Sequence, residues 1–355
     1  MIADAIRVSV FFGEGVMSDG VLASDALMDA LARRLVPAAT LLRGIEGFGL
    51  HRRIQAERLP ETSTDLPLLA VAVAEQNDIA RVLDEVDYAV PRGLVTLETT
   101  CLATGADVAC ARPSPGPGDA VQIAISCAAA ERAGREPVSR VAVEILRDAG
   151  AKCAVVLAGA DGLVHGVRRR VRLFSTEGGP LHIVAVVPRT SAPEALDALA
   201  GALPRPVLTI EPVALLKHLG ERVESLPRPP EGPGEDRGWL AVALYARRTA
   251  VYHGRALFTE LTRRLRRGGA AGATTILADW GFTRDEHPHG DRFGRVADHR
   301  PTFTLWIDRP ATVVDLWPVL DELTAEHGTV TCLPLPGYRE RAANTVRGDL
   351  RLGWS

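Results

Sequence analysis

Lysine is almost missing from this chain: Lys152 and Lys217 are the only two, and arginine supplies every other basic side chain. Anion recognition is thereby left to planar guanidinium groups rather than to the flexible point charge that many phosphate sites use. Excess positive charge is missing too. A formal net charge of -3 excludes a global attraction to nucleic acid or to an anionic membrane surface. No uninterrupted apolar run approaches the ~18 residues of a membrane span. Met1-Ile2-Ala3-Asp4 does not open a basic region followed by an apolar core, so no secretory leader is expected. The five cysteines, Cys101, Cys110, Cys127, Cys153 and Cys332, are odd in number and widely spaced, and no two form a Cys-x-x-Cys pair. That is the pattern of free thiols in a reducing compartment, and a cytoplasmic protein is the expectation.

Catalytic signatures are lacking as well. There is no Gly-x-Ser-x-Gly elbow, no His-Glu-x-x-His, and no Gly-Lys-Ser/Thr phosphate loop. Gly13-Glu14-Gly15 with Gly20 has Ser18 where a dinucleotide fingerprint needs glycine, so it reads as a strand-to-helix turn. A protein that is not an enzyme is expected.

What is present is a repeat. The 355 residues, 46% of them hydrophobic, suffice for three domains with cores of their own. Two Pro/Gly-rich segments, residues 102–120 and 219–237, have the composition of solvated connectors. They divide the chain into copy 1 (4–101), copy 2 (121–218) and copy 3 (238–338), with a tail at 339–355. Each copy opens with period-two apolarity, the mark of a strand with one buried face: Ile6, Val8, Val10; Val121, Ile123, Ile125; Leu240, Val242, Leu244. Spacing by four then places Ala23, Leu27, Leu31 and Leu35 on one helix face, as it does Val138, Ala142 and Leu146, and Leu257, Leu261 and Leu265.

A second strand runs into a glycine corner at Gly47, Gly162 and Gly281. The third strand follows a proline in every copy, Pro67, Pro180 and Pro301, where the missing amide costs no ladder bond. After a second helix, which carries Val-Leu-Asp-Glu at both 82–85 and 319–322, comes a last strand. The order β-α-β-β-α-β predicts an α+β fold of three ferredoxin-like domains, each with both helices on one face of a four-stranded sheet. The opposite sheet faces are apolar as well and need cover, which three sheets around a common centre supply.

Phe12-Gly13-Glu14, the run from Ala39 through Arg43-Gly44-Ile45-Glu46-Gly47-Phe48-Gly49, Asp65-Leu66-Pro67 and Gly93-Leu94-Val95-Thr96 resemble the DUF190 family, a PII-like group. Tyr252-His253-Gly254-Arg255-Ala256-Leu257 and Gly272-Ala273-Thr274 of copy 3 are similar to the same family, and copy 2 looks like a degenerate member. The resemblance implies domains that associate in threes with ligand clefts between neighbours. Three copies in one chain then make a pseudo-trimer, functional as a monomer. It also implies a signalling protein whose small effector, an adenine nucleotide such as ATP or ADP or another anion, regulates a target protein, either a membrane transporter or an enzyme. The implied ligand residues are Arg43, Gly44, Glu46, Gly47, Phe48 and Gly49, with His51, Arg52 and Arg53 on the loop that follows. Copy 2 has Ala158 in place of Arg43, and copy 3 has Leu277-Ala278-Asp279-Trp280 in place of Arg43 to Glu46, which leaves one complete motif among three clefts.

Two other clusters stand out. His287 and His289, between Asp285 and Asp291, have spacing usable for a metal, and a metal-binding tolerance protein of the same architecture is the alternative reading. A scaffold without a ligand is the third. Arg168-Arg169-Arg170 is expected to meet acids of a neighbouring copy or a phosphate, whereas Arg263, Arg264, Arg266 and Arg267 end a helix and favour its dipole.

Overall fold

The alternating and period-four patterns become strands and helices in all three copies of the computed structural model. It describes residues 1–49, 54–56, 65–113, 116, 118–171, 178–227, 238–284, 289–290, 299–342 and 345–350. Copy 1 comprises β1 (Ile2–Gly13), α1 (Ala23–Arg33), β2 (Ala38–Arg43), β3 (Glu46–Phe48), β4 (Pro67–Glu75), α2 (Ile79–Ala89) and β5 (Gly93–Thr104). Copy 2 comprises β6 (Ala120–Ala128), α3 (Val138–Asp148), β7 (Cys153–Ala158), the hairpin β8 (Asp161–Val164) and β9 (Val167–Arg170), β10 (Pro180–Pro188), α4 (Ala192–Ala202) and β11 (Val207–His218). Copy 3 comprises β12 (Trp239–Arg247), α5 (Leu257–Arg267), β13 (Gly272–Leu277), β14 (Trp280–Phe282), β15 (Pro301–Asp308), α6 (Pro310–Leu323) and β16 (Thr329–Leu335). A hairpin of β17 (Gly337–Ala342) and β18 (Thr345–Arg347) follows. Among the described residues no helix is long and apolar enough to cross a membrane.

Each copy is an antiparallel sheet with the first strand in the middle. In copy 1 the order is β5-β1-β4-β2, in copy 2 β11-β6-β10-β7, and in copy 3 β16-β12-β15-β13. Pro67, Pro180 and Pro301 start β4, β10 and β15. Their carbonyls accept from the corner amides of Gly44, Gly159 and Ala278 at 2.8, 2.8 and 2.9 Å, so the proline that opens the third strand also closes the turn after the second. The helix faces pack as their spacing requires: Leu27 and Leu31 lie on Ile6, Val8 and Val10, and the other copies repeat the pattern.

Leu35 departs from its expected place. Helix α1 ends at Arg33, and Leu35, at φ 53° and 73% exposed, holds the left-handed position that Gly150 and Gly269 hold in the other copies. Val36 takes the buried site instead, its amide bonded to the Leu31 carbonyl.

The second face of each sheet is covered by the other two copies. Leu42, Leu69 and Val71 of copy 1, Val155, Val184 and Val186 of copy 2, and Ala243, Tyr245 and Phe303 of copy 3 form one shared cluster. Each large aliphatic side chain fully buried there contributes about 1.5–3 kcal/mol relative to exposure. At this centre lies a buried ionic group. The Arg7 guanidinium meets Glu98 of its own sheet and Glu211 of copy 2 at 3.1 Å. Gln122, its amide oxygen turned to Arg7, accepts at 2.7 and 3.0 Å and donates to Tyr245 of copy 3 at 3.2 Å.

Strands also pair between copies, in two cycles. The corner strand of each copy lies on the second strand of another: β3 on β13, β14 on β7, and β8 on β2. The extension beyond each last strand pairs with the next copy: β5 with β11, β11 with β16, and β17 with β5. Parts of the expected connectors and tail are therefore ordered. Strand β5 runs to Thr104 and a 3-10 turn spans Gly105–Cys110, while residues 337–342 and 345–347 form the last hairpin. Composition did not separate these segments from solvated linker because their partners lie in a different copy.

Candidate functional site

The glycine corner is a clasp between copies. A Cβ on Gly47 would stand 2.6 Å from the Ala273 carbonyl oxygen, one on Gly162 2.2 Å from that of Ala39, and one on Gly281 2.2 Å from that of Ala154. No side chain fits between backbones at those distances, which is why the corner needs glycine in every copy.

Where the clasp of copy 1 meets copy 3, a cavity of about 580 Å³ opens. Copy 1 supplies Phe11, Gly13, Phe48 and Gly49 at the ends of β1 and β3, Met17 from the turn after β1, and Arg92 before β5. Copy 3 supplies Trp239, Ala271, Thr274, Leu305 and Ile307 from the sheet that β3 has joined, and Glu340 comes from β17. Asp65 ties the rim together: its Oδ1 accepts from the Gly15 amide at 3.0 Å and its Oδ2 from Gln55 Nε2 at 2.7 Å. The walls are apolar and aromatic with a few polar groups, the usual make-up of a small-molecule site. Arg92 is exposed and its side chain has no hydrogen bond or ion pair among the described residues, so its charge is free for a ligand. Trp239 is 4% exposed and packs on Tyr338 with ring centroids 4.3 Å apart.

The residues implied by resemblance divide. Phe48 and Gly49 line the cavity. Gly44 and Gly47 pack against Pro67, Ala273 and Thr274 as parts of the clasp. Glu46 is buried and accepts from Thr259 Oγ1 of α5 at 2.7 Å, joining copy 1 to copy 3. Arg43 is exposed outside the lining, in a bidentate pair with Glu14 at 3.0 and 3.1 Å. His51, Arg52 and Arg53 lie outside the described residues, as does His287, and the side chain of His289 lies outside them too.

Members of the other singled-out runs have partners within the fold. Arg168 binds Asp161 at 2.6 Å and also pairs with Asp29 of copy 1, while Arg170 reaches Asp25 of copy 1 at 2.8 Å. Arg264 binds Glu260 and Glu322, both at 3.0 Å. In copy 2, His165 Nε2 lies 3.0 Å from Glu131. Burial pushes the Glu131 carboxyl up, but the bonds from His165 and the Ala128 amide outweigh it and hold the group below the usual range.

Trp239, Arg92 and Glu340 carry no signal in the sequence. Trp239 precedes the alternating run of its strand, and Glu340 falls in what reads as a tail. Only the closing of copy 3 on copy 1 brings the three to one cleft.

A family model for DUF190, described as an uncharacterized ACR, matches the chain three times, at residues 5–101, 120–215 and 239–335. Among solved structures, an aspartate kinase from Synechocystis is similar at 11% identity over 95% of this chain, with a TM-score of 0.27. This chain spans 44% of the length of that one. The three family matches take in most of the sequence and fall on the three structural repeats, and the chain belongs to the DUF190 family.

Proposed function

We propose that this chain is a PII-like regulatory protein that binds a small effector in the cleft between copies 1 and 3 and has no catalytic step. In this reading the three ferredoxin-like copies form a pseudo-trimer within one chain, which acts as a monomer. The observation that carries the reading is the 580 Å³ cavity between two copies, bordered by Phe48 and Gly49 at the end of the clasp strand. A ligand there touches both the sheet of copy 3 and the end of the clasp strand of copy 1. It biases the junction between copies 1 and 3 toward one state, and the protein in that state docks on a target, a transporter or an enzyme. Arg92 and the aromatic walls suit an anion with a flat or apolar body, such as an adenine nucleotide.

Calorimetric titration of the whole chain with AMP, ADP and ATP tests this. Ala271 is half-buried on the cavity wall, so Ala271→Phe fills the cleft and should abolish binding. Arg43→Ala should leave binding unchanged and cost no more than about 1 kcal/mol, since it removes only an exposed ion pair with Glu14. Binding that survives Ala271→Phe and disappears with Arg43→Ala would place the ligand elsewhere.

A further inference from the structure

Beyond Trp239 and Glu340 a second cavity of about 390 Å³ adjoins the first, and both are bordered by Gly49, Trp239, Ala271 and Glu340. Its walls are polar. Copy 3 supplies Asp308, Arg309 and Thr312 around the start of α6, and the last hairpin supplies Glu340, Ala342, Thr345 and Arg347. This hairpin lies past residue 335, where the third family match ends.

The hairpin has two faces with different duties. Arg339 and Arg341 fasten it to copy 1: Arg339 pairs with Asp87, and Arg341 donates to the Asp87 carbonyl at 2.9 Å. Glu340, Ala342, Thr345 and Arg347 border the cavity. Glu340 and Arg347 are directly opposite each other across the two strands. Cβ atoms in such pairs are about 4.5–5.5 Å apart. A glutamate and an arginine so placed are within easy reach of an ion pair, yet neither side chain has a hydrogen bond or ion pair among the described residues. Asp308, by contrast, is fully used. It accepts from the Ala271 amide at 2.7 Å, from Trp306 Nε1 at 3.1 Å and from the Arg309 amide at 2.8 Å.

We infer that the second cavity receives the polar head of a two-part ligand whose apolar or aromatic body fills the first. The head accepts from the Arg347 guanidinium and donates to the Glu340 carboxylate. An amino-acid zwitterion and a ribose monophosphate both have this chemistry. A triphosphate suits it less, because Glu340 and Asp308 offset Arg309 and Arg347 and leave no excess positive charge for the extra phosphates. The inference rests on the ligand cleft proposed above and adds the chemistry of the head.

Calorimetry of the full chain with L-tryptophan, AMP and ATP at one ionic strength tests it, using wild type, Arg347→Ala and Glu340→Gln. L-Tryptophan or AMP should bind, and which of the two does so identifies the source of the head. Arg347→Ala should weaken that binding at least about tenfold and Glu340→Gln about fivefold. ATP should bind more weakly than AMP. The thermal midpoint should stay unchanged in both variants, since neither side chain has a partner among the described residues. Tighter binding in Glu340→Gln, or affinity that rises with phosphate number and ignores Arg347, would overturn the head assignment. The cleft itself would still stand if Ala271→Phe abolished that binding. No response from any of the three compounds would overturn both.

Discussion

The junction of copies 1 and 3 and the junction of copies 2 and 1 are made by the same clasp and differ in what the clasp encloses. In both, a corner strand lies antiparallel on the neighbour's second strand, with glycine against an alanine carbonyl. At the second junction Ala5, Ala38, Val73, Leu102 and Val207 pack into a buried apolar cluster. The clasp strand there turns at once into β9, where Arg168 and Arg170 are held by Asp25, Asp29 and Asp161. At the first junction Trp239, opposite Leu335, stands where Ala5, opposite Thr100, stands in copy 1. The wall carries Leu305 and Ile307, the cavity opens, and Arg92 and Glu340 at its edge are unpaired among the described residues. The backbone thus provides the junction, and side chains decide whether it becomes a joint or a pocket. Charges neutralised by a neighbouring copy mark the joint, and charges left over mark the pocket.

The largest effect that separates the two junctions is expected at Arg7. Its ion pair with Glu211 ties copy 1 to copy 2 in the buried centre. Arg7→Met leaves two buried carboxylates uncompensated and should cost about 3–5 kcal/mol in urea unfolding. A loss below 1 kcal/mol would show that the centre is not the tie it is taken for. Next is the clasp of the packed joint. Gly162→Ala drives a methyl group onto the Ala39 carbonyl and should cost about 1–3 kcal/mol, with ligand binding between copies 1 and 3 retained. Loss of binding there would mean that the two junctions are coupled rather than separate.

The smallest effect concerns acid. Burial, with Arg7 nearby, lowers the pKa of His182 to about 3. The unfolded chain takes up this proton near the ordinary histidine value of ~6.5. Between the two values the unfolded state binds more protons, so stability is fully present above pH 6.5 and is lost as pH falls toward 3. His182→Leu should flatten the unfolding midpoint between pH 7 and pH 5, removing a slope of about 2 kcal/mol. A slope equal to wild type would assign the acid sensitivity between pH 7 and pH 5 to other groups.

The repeated architecture was largely legible because its determinants are local. Alternation, four-residue spacing, the proline before each third strand and the glycine corner each act within a few residues. Arg168 was legible as a charge run seeking acids, although its partners Asp25 and Asp29 were not. The cleft was not legible, because it is assembled from residues far apart in sequence whose approach is fixed only when the cycle of copies closes. Trp239 and Glu340 have no local pattern that distinguishes them from a strand start and a tail. Arg43 shows the converse: its motif position is legible in the sequence, whereas its pair with Glu14, in the turn after β1, is not. Leu35 was misplaced for a local reason, since period-four spacing does not reveal that the helix stops two residues early in a left-handed turn.

The strands that pair between copies have a consequence for how such a protein changes over time and with dilution. In a ring of separate identical subunits, one substitution alters every junction at once, and the junctions disappear when the subunits come apart. Here the partners are tied by their own chain, so each meets the other at an effective concentration that dilution does not reduce. A substitution also appears once. One junction can exchange alanine for tryptophan and open a cavity while its neighbours remain packed and hold the assembly.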